Sequence, residues 1–276
     1  MSTLEENKKT VKKIQEIVFR IMCDVDDFCK KNEIRYFLSG GTCLGAVRHG
    51  GFIPWDDDGD LMMPRRDYER FLDLFPRLFS EKYGVGAFSL NQKWQRQYAR
   101  VWDKRTIWKS TNVDDITMGV FIDIFPIDGL PNCELSRKVY YGRIKLLSAM
   151  GSAAVKKEFL AAEKYRGIKK IAGFFLKPFG IRRFTMKMER LAKKYDFDTS
   201  RYVGVSMAAH YGDRETIEGD EMRKETRLLF EGKEFPVPVG YRQYLSNLYG
   251  DYMTIPEGAE EKGYSHLDHW EIEFMK

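Results

Sequence analysis

Asp56, Asp57, Asp58 and Asp60 fall within five positions of the stretch IPWDDDGDLMM (53–63). Carboxylates this close repel one another, and each costs several kcal/mol if it is buried without a partner. If 58–63 is extended, side chains alternate with period two, so Asp58 and Asp60 share one face. Two carboxylates on one sheet face are a poor structural device and a good ligand pair for a divalent cation. Magnesium takes hard oxygen donors and commonly shares its site with substrate phosphates. Asp123, in VFIDIF, projects alone from a strand between Ile122 and Ile124. By itself it reads as a solvated edge carboxylate, but beside Asp58 and Asp60 it becomes the candidate third ligand.

A calcium loop is the competing reading of Asp56, Asp58 and Asp60, which match D-x-D-x-D. The sharp turn then needs glycine where Leu61 stands, and the twelfth position is Asp67 instead of Glu, so the EF-hand is excluded. Upstream lies SGGTCLGAVRHGG (39–51). Gly40 and Gly41, between a strand and a short helix, allow close approach of backbone to a ligand, and with the Thr42 hydroxyl they form a small candidate anion site. Arg48, His49, Arg65 and Arg66 bracket the acidic run, either as charge balance or as bidentate phosphate contacts. Lys104 and Arg105, at a strand end, are further candidates for phosphate contact, with a solvated turn as the plainer reading.

These side chains need a scaffold. Apolar residues from Val11 to Phe28 recur at three- and four-residue spacing, which predicts an amphipathic helix over 4–31. Strands are predicted over 34–39, 58–63, two within 96–110, and one over 119–131 stopped by Pro126; a helix is predicted over 66–79 with an end or kink at Pro76. The class is α/β (α+β): a mixed central sheet flanked by helices, with a basic helical insertion or subdomain. We expect a catalytic core over 1–134, a basic and mainly helical subdomain over 135–230, and a C-terminal segment, 231–276, that packs back on the core with one short helix near 240–249.

With 276 residues and 43% hydrophobic content the chain can build a substantial core. Four cysteines, none in C-x-x-C, make neither a disulfide framework nor a structural zinc site, and read as buried thiols in a reducing compartment. No apolar leader or membrane-spanning run is legible, so a cytoplasmic protein is expected. The net charge of +5 hides a division: residues 137–194 hold 17 Lys/Arg against 3 Asp/Glu, and the remainder is net acidic.

Gly-Gly, then an Asp-x-Asp strand, then a lone aspartate on a later strand is the arrangement of nucleotidyltransferase-fold enzymes. More specifically, LSGGTCLGAVRHGGFIPWDDDGDLMMPRRDYERF (38–71) resembles the signature of the LicD family, and FIDIFPIDGLP (121–131) and YGDYMTIP (249–256) resemble its later motifs. The resemblance implies transfer of phosphocholine from CDP-choline to a sugar hydroxyl of a bacterial surface glycopolymer precursor of the teichoic acid type, releasing CMP. Relatives that use CDP-ribitol keep another CDP-alcohol open, as does a non-catalytic member of the fold. By position it implies Asp58, Asp60 and Asp123 as ligands of Mg²⁺ or Mn²⁺, with Asp123 also placed as base. Gly40, Gly41, Thr42, Arg48 and Lys104 would hold phosphate or nucleotide. Gly59 departs from the family pattern, which carries an apolar residue between the two aspartates.

A quaternary ammonium is held by aromatic faces through cation–π attraction. Trp94, Tyr98, Trp102 and Trp108 crowd one stretch and are the candidates for a choline pocket, although core packing is the better reading of each alone. The basic segment 137–194, sharpest in GIKKIAGFFLKPFGIRRF (167–184), suits peripheral contact with an anionic membrane surface, where a lipid-linked glycan acceptor sits. Nucleic acid is not expected as a partner, because no recognition motif accompanies the charge.

Overall fold

The computed structural model describes residues 4–110, 118–155, 174–207, 211–265 and 270–275. The long amphipathic pattern forms helix α1 (Leu4–Lys31), whose apolar stripe, including Ile14, Val18, Ile21, Met22 and Val25, is fully buried. The chain then enters strand β1 (Phe37–Leu38), helix α2 (Gly40–His49), strand β2 (Asp60–Pro64) and helix α3 (Arg65–Leu78). Pro76 sits inside the last turn of α3, two residues before its end. Strands β3 (Tyr83–Gly86), β4 (Ala99–Asp103), β5 (Thr106–Ser110) and β6 (Phe121–Leu130) follow.

The sheet has the order β1-β2-β6-β4-β3. β2 runs parallel to β6, and the other neighbours are antiparallel. β6 therefore lies at the centre, and Asp60 pairs in register with Asp123 across β2 and β6. Two expectations are corrected. The first aspartate strand begins at Asp60, so Asp58 precedes it instead of lying within it. β6 also runs through Pro126 to Leu130. On β6, β4 pairs only with residues 121–124 and the later strand Tyr202–Gly204 only with 128–130, so Pro126 lies where that edge asks for no N–H donor.

After β6 come helix α4 (Glu134–Val155), helix α5 (Gly180–Ala192), strand β7 (Tyr202–Gly204), strand β8 (Ile217–Glu218) and helix α6 (Gly219–Arg223). The hairpin β9 (Glu225–Phe230) and β10 (Lys233–Pro238), helix α7 (Tyr241–Tyr249), helix α8 (Ala259–Ser265) and strand β11 (Trp270–Phe274) complete the described chain. The segment 135–230 thus carries α4 and α5 in its first part and, from Tyr202 onward, short strands with α6 among them. Phe230, Phe235 and Val237 of the hairpin join the main core with α1 and the sheet. A smaller cluster, including Tyr140, Tyr141, Ile144 and Met188, lies between α4 and α5. Residues 156–173 of the basic segment, and with them 167–173 of the stretch singled out above, lie outside the described residues.

Of the four cysteines, Cys29 and Cys43 are buried thiols as expected, whereas Cys23 is half-buried and Cys133 exposed; all four are free. Among the described residues no helix is long and apolar enough to cross a membrane.

Candidate active site

Three carboxylates converge at the β2/β6 seam. Oxygens of Asp58, Asp60 and Asp123 lie within 4.8 Å of one another, a spacing one cation can bridge. Backbone pairing fixes them: the Asp123 N–H donates to the Gly59 carbonyl (2.8 Å), and the Ser39 N–H to the Asp60 carbonyl (2.9 Å). Gly59 faces the other way, onto α1. A Cβ there would stand 2.7 Å from Val18 Cγ1 and 3.1 Å from Ile122 Cγ2, so glycine is what lets α1 close on the sheet behind the aspartates. Asp56, Asp57 and Asp58 form a second acidic group that shares Asp58 with the first.

The Gly-Gly turn is built around Asp60. Gly40 has φ +47°, and a Cβ on it would lie 2.8 Å from Asp60 Oδ2. A Cβ on Gly41 would lie 2.8 Å from Asp56 Oδ2. The Gly41 N–H donates to the Asp60 carboxylate. The Asp60 N–H in turn donates to Thr42 Oγ1 at 2.7 Å. Gly40 N–H donates to the Tyr244 hydroxyl (3.3 Å), which also bonds Ser39 Oγ (3.1 Å). The first turn of α2 therefore clamps Asp60, with the positive end of the helix toward the acidic group.

Burial pushes Asp58 well above the ordinary carboxylate range, and Asp60, Asp56 and Asp57 add repulsion. Burial does the same to Asp60, with Asp123 as its strongest repelling neighbour and the Gly41 N–H opposing. Burial also raises Asp123, but the Arg100 guanidinium opposes it. Arg100 is a residue the sequence reading missed. Its Nε lies 2.6 Å from Asp123 Oδ1 and its Nη2 3.2 Å from Oδ2. The guanidinium rests 3.6 Å over the Phe121 ring. The only legible signal was strand register: Arg100 and Asp123 are direct cross-strand partners.

The aromatic candidates are placed unevenly. The Tyr98 hydroxyl hydrogen-bonds Asp123, and its ring packs 4.7 Å from Phe125. Trp102 is half-buried and stacks on Trp94 with centroids 6.4 Å apart and planes 7° from parallel. Trp94 is only 1% exposed and donates its indole N–H to the Tyr98 carbonyl. Trp108 is buried against Phe121. Only Tyr98 among the four touches a carboxylate of the group.

The basic candidates are mostly engaged elsewhere. Lys104 lies in the exposed β4–β5 turn, where its ammonium donates to the Ser80 carbonyl (2.5 Å). Arg105 bonds Asp103 in the same turn. Arg48 donates to the Tyr252 carbonyl (2.9 Å) and to His49 Nε2 (3.0 Å), tying α2 to the YGDYMTIP segment. Arg65 makes a buried bidentate pair with Asp128 (2.8 and 2.6 Å), and the exposed Arg66 pairs with Asp196. The C-terminal segment reaches the site through Tyr249, whose hydroxyl lies 3.7 Å from the position a Gly40 Cβ would take and is raised by burial and by its neighbours, Asp60 among them.

An all-oxygen donor set fits a hard divalent cation. Three converging carboxylates, opposed by the Arg100 guanidinium and more weakly by Arg96, carry a local excess of negative charge that such an ion removes.

Residues 33–143, which span the Gly-Gly turn and all three aspartates, match the family model described as LicD/FKTN/FKRP, nucleotidyltransferase domain. The chain is 31% identical over 263 residues to the lipopolysaccharide cholinephosphotransferase LicD of Haemophilus influenzae, covering 92% of this chain and 96% of that protein. Over 28 residues it is 64% identical to the ribitol 5-phosphate transferase FKRP of human and mouse, a match covering 10% of this chain and 6% of theirs. Similarity of this extent to a full-length member, together with the domain match, places the chain in the LicD family, as a transferase.

Proposed function

We propose that the protein transfers phosphocholine from CDP-choline to a sugar hydroxyl of a lipid-linked bacterial surface glycan, of the teichoic acid or lipopolysaccharide type, and releases CMP. The observation that carries this reading is the Asp58/Asp60/Asp123 group inside the segment similar to the family domain, within a chain similar to a cholinephosphotransferase over nearly its whole length. Mg²⁺ or Mn²⁺ held by the three aspartates supplies charge neutralisation of the diphosphate.

The chain's own groups do the rest. Asp123 accepts the proton of the attacking sugar hydroxyl as that oxygen adds to the β-phosphorus and CMP leaves. Arg100 and Tyr98 hold the Asp123 carboxylate in plane. Gly41 and Thr42 hold Asp60 and Gly40 leaves room for it, so the turn acts by positioning a ligand next to the phosphates. Tyr98, which bonds Asp123, offers an aromatic ring beside the carboxylates for the choline ammonium, and the stacked Trp94/Trp102 pair and Trp108 are the further candidates of the same stretch. The enzyme works at the cytoplasmic face of a membrane, through the basic segment 137–194, because its acceptor is lipid-linked.

The test is CMP release in the presence of Mg²⁺ from CDP-choline, CDP-ribitol and CDP-glycerol, each with a sugar acceptor. CDP-choline is expected to be turned over fastest. Turnover of CDP-ribitol alone sinks the choline assignment. No CMP from any of the three, with pyrophosphate released from CTP, sinks the whole reading.

A further inference from the structure

We propose that the outer face of α4 docks the protein on an anionic lipid bilayer, with the carboxylate site on the inner side of that helix. The inference rests on the reading of the acceptor as lipid-linked.

Leu135, Val139 and Leu146 of α4 are spaced by four and seven residues, which places them in one line along the helix. They are 70%, 55% and 60% exposed, while Tyr140, Tyr141 and Ile144 on the other side are buried. Lys138 and Lys145 flank the line on one side and Arg143 on the other, and all three are exposed. Glu134 is the only acidic residue of α4, and it is already paired with Lys138 at 2.6 Å. An exposed aliphatic line between basic rows is the pattern of a helix lying in a membrane interface.

A second apolar feature lies where the chain approaches α5, whose preceding 3-10 turn (Lys177–Phe179) packs against α4. Phe174 and Phe175 are 76% and 67% exposed and meet edge to face at 5.6 Å. Lys177, Arg182, Arg183 and Lys187 follow within twelve residues. Charge selects the occupant. An anionic bilayer complements both the apolar line and its basic margins. A second copy of the chain would set the same basic rows against each other.

The face is also placed for the reaction. Ser148, on the inner side of α4, meets the side-chain amide of Gln97 at 3.5 Å. Gln97 adjoins Tyr98, whose hydroxyl bonds Asp123. The helix therefore stands between the rim of the site and its own outer face. A glycan rising from the headgroups reaches the site past α4 and the Gln97–Tyr98 segment.

The experiment is co-sedimentation of the full chain with vesicles of phosphatidylglycerol and phosphatidylcholine, and with vesicles of phosphatidylcholine alone. Wild type is expected to sediment with the mixed vesicles only. Leu135→Ser/Val139→Ser/Leu146→Ser is expected to lower that partition about tenfold or more, and Lys138→Glu/Arg143→Glu/Lys145→Glu to abolish it. All six positions are exposed, and circular dichroism checks that both variants fold. Wild type left in the supernatant, or a serine variant that sediments like wild type, overturns the proposal. So does a dimer in light scattering that the serine variant dissociates, because the face would then join two copies. CMP release from CDP-choline with a soluble sugar acceptor separates the two readings. It should match wild type in both variants, and if wild type itself releases no CMP while vesicle binding persists, the functional reading falls and the docking surface stands.

Discussion

Arg100 faces Asp123 directly across β4 and β6, with Nε 2.6 Å from Oδ1 and both side chains nearly buried. Phe121 supports the guanidinium from behind at 3.6 Å. The pair gives the acidic group one permanent cation, set by strand register instead of by a flexible loop. It leaves Asp58 and Asp60 without an equivalent, and that asymmetry determines what each substitution should do.

Arg100→Met keeps volume and removes the charge. Asp123 is then buried without its ion-pair partner, and breaking such a pair costs about 3–5 kcal/mol. Urea unfolding without divalent ions should show a loss of that order. Added Mg²⁺ should stabilise the variant more than wild type, because the ion then replaces the nearest counter-charge. Equal Mg²⁺ shifts in the two proteins would show that Arg100 does not share the carboxylates with an ion.

Asp58→Asn and Asp60→Asn should each reduce CMP release by about 10²–10⁴-fold, the scale on which loss of a metal ligand or acid–base group is felt. The same variants should be more stable than ion-free wild type at pH 7. Burial and mutual repulsion raise both carboxyls above their unfolded values, so the folded state binds more protons than the unfolded one. That contribution is fully present below the unfolded pKa near 4 and is lost as pH rises toward the raised folded values. The stability gap between variant and ion-free wild type should therefore widen from pH 4 upward and close again when Mg²⁺ is added. A gap independent of both pH and Mg²⁺ would contradict the raised carboxyls.

Gly59→Val tests the departure from the family pattern. Its Cβ would stand 2.7 Å from Val18 and 3.3 Å from Met22 Sδ, so α1 or β2 must shift. Overpacking of this kind costs about 1–3 kcal/mol. Because Asp58 and Asp60 flank the residue, Mn²⁺ affinity measured by electron paramagnetic resonance should fall as well. A variant with unchanged Mn²⁺ affinity would show that the aspartates are insulated from the α1 packing.

Much of this site was legible where chemistry is local in sequence. The α1 stripe, the closeness of Asp58 to Asp60, and the four cysteines left unpaired all follow from spacing of a few residues. The start of β2 at Asp60 was not legible, because the preceding turn is set by Gly41 and Thr42 bonding to Asp60, contacts eighteen or nineteen residues apart in the chain. Pro126 suggested a strand end, but a proline inside a strand depends on which neighbours reach it, and only topology supplies that. Arg100 was invisible for the same reason: a cation two residues before a tryptophan looks like any half-exposed strand position until its partner strand is known. The expected boundary at 230/231 cuts the β9–β10 hairpin in two, because net charge is a property of surface, whereas Phe230 and Phe235, which pack both strands into the main core, lie on either side of that boundary.

Glu215 carries the last expectation. It is 6% exposed, and its Oε2 has no hydrogen-bond partner, so burial alone raises its carboxyl to about 8. It also acts on the buried Tyr244, whose hydroxyl holds Ser39 and Gly40 of the Gly-Gly turn. The folded pKa lies above the unfolded value, so the stability tied to this proton is complete below about 4.5, declines between 4.5 and 8, and changes no further above. Glu215→Gln keeps the shape and removes the titration. Its stability should lie within about 1 kcal/mol of wild type at pH 5 and exceed it by about 5 kcal/mol at pH 9, at about 1.4 kcal/mol per pKa unit. Urea midpoints for both proteins at pH 5, 7 and 9 read this directly. Parallel profiles would mean that the buried carboxyl finds a partner, and the Gly-Gly turn would then be indifferent to its protonation.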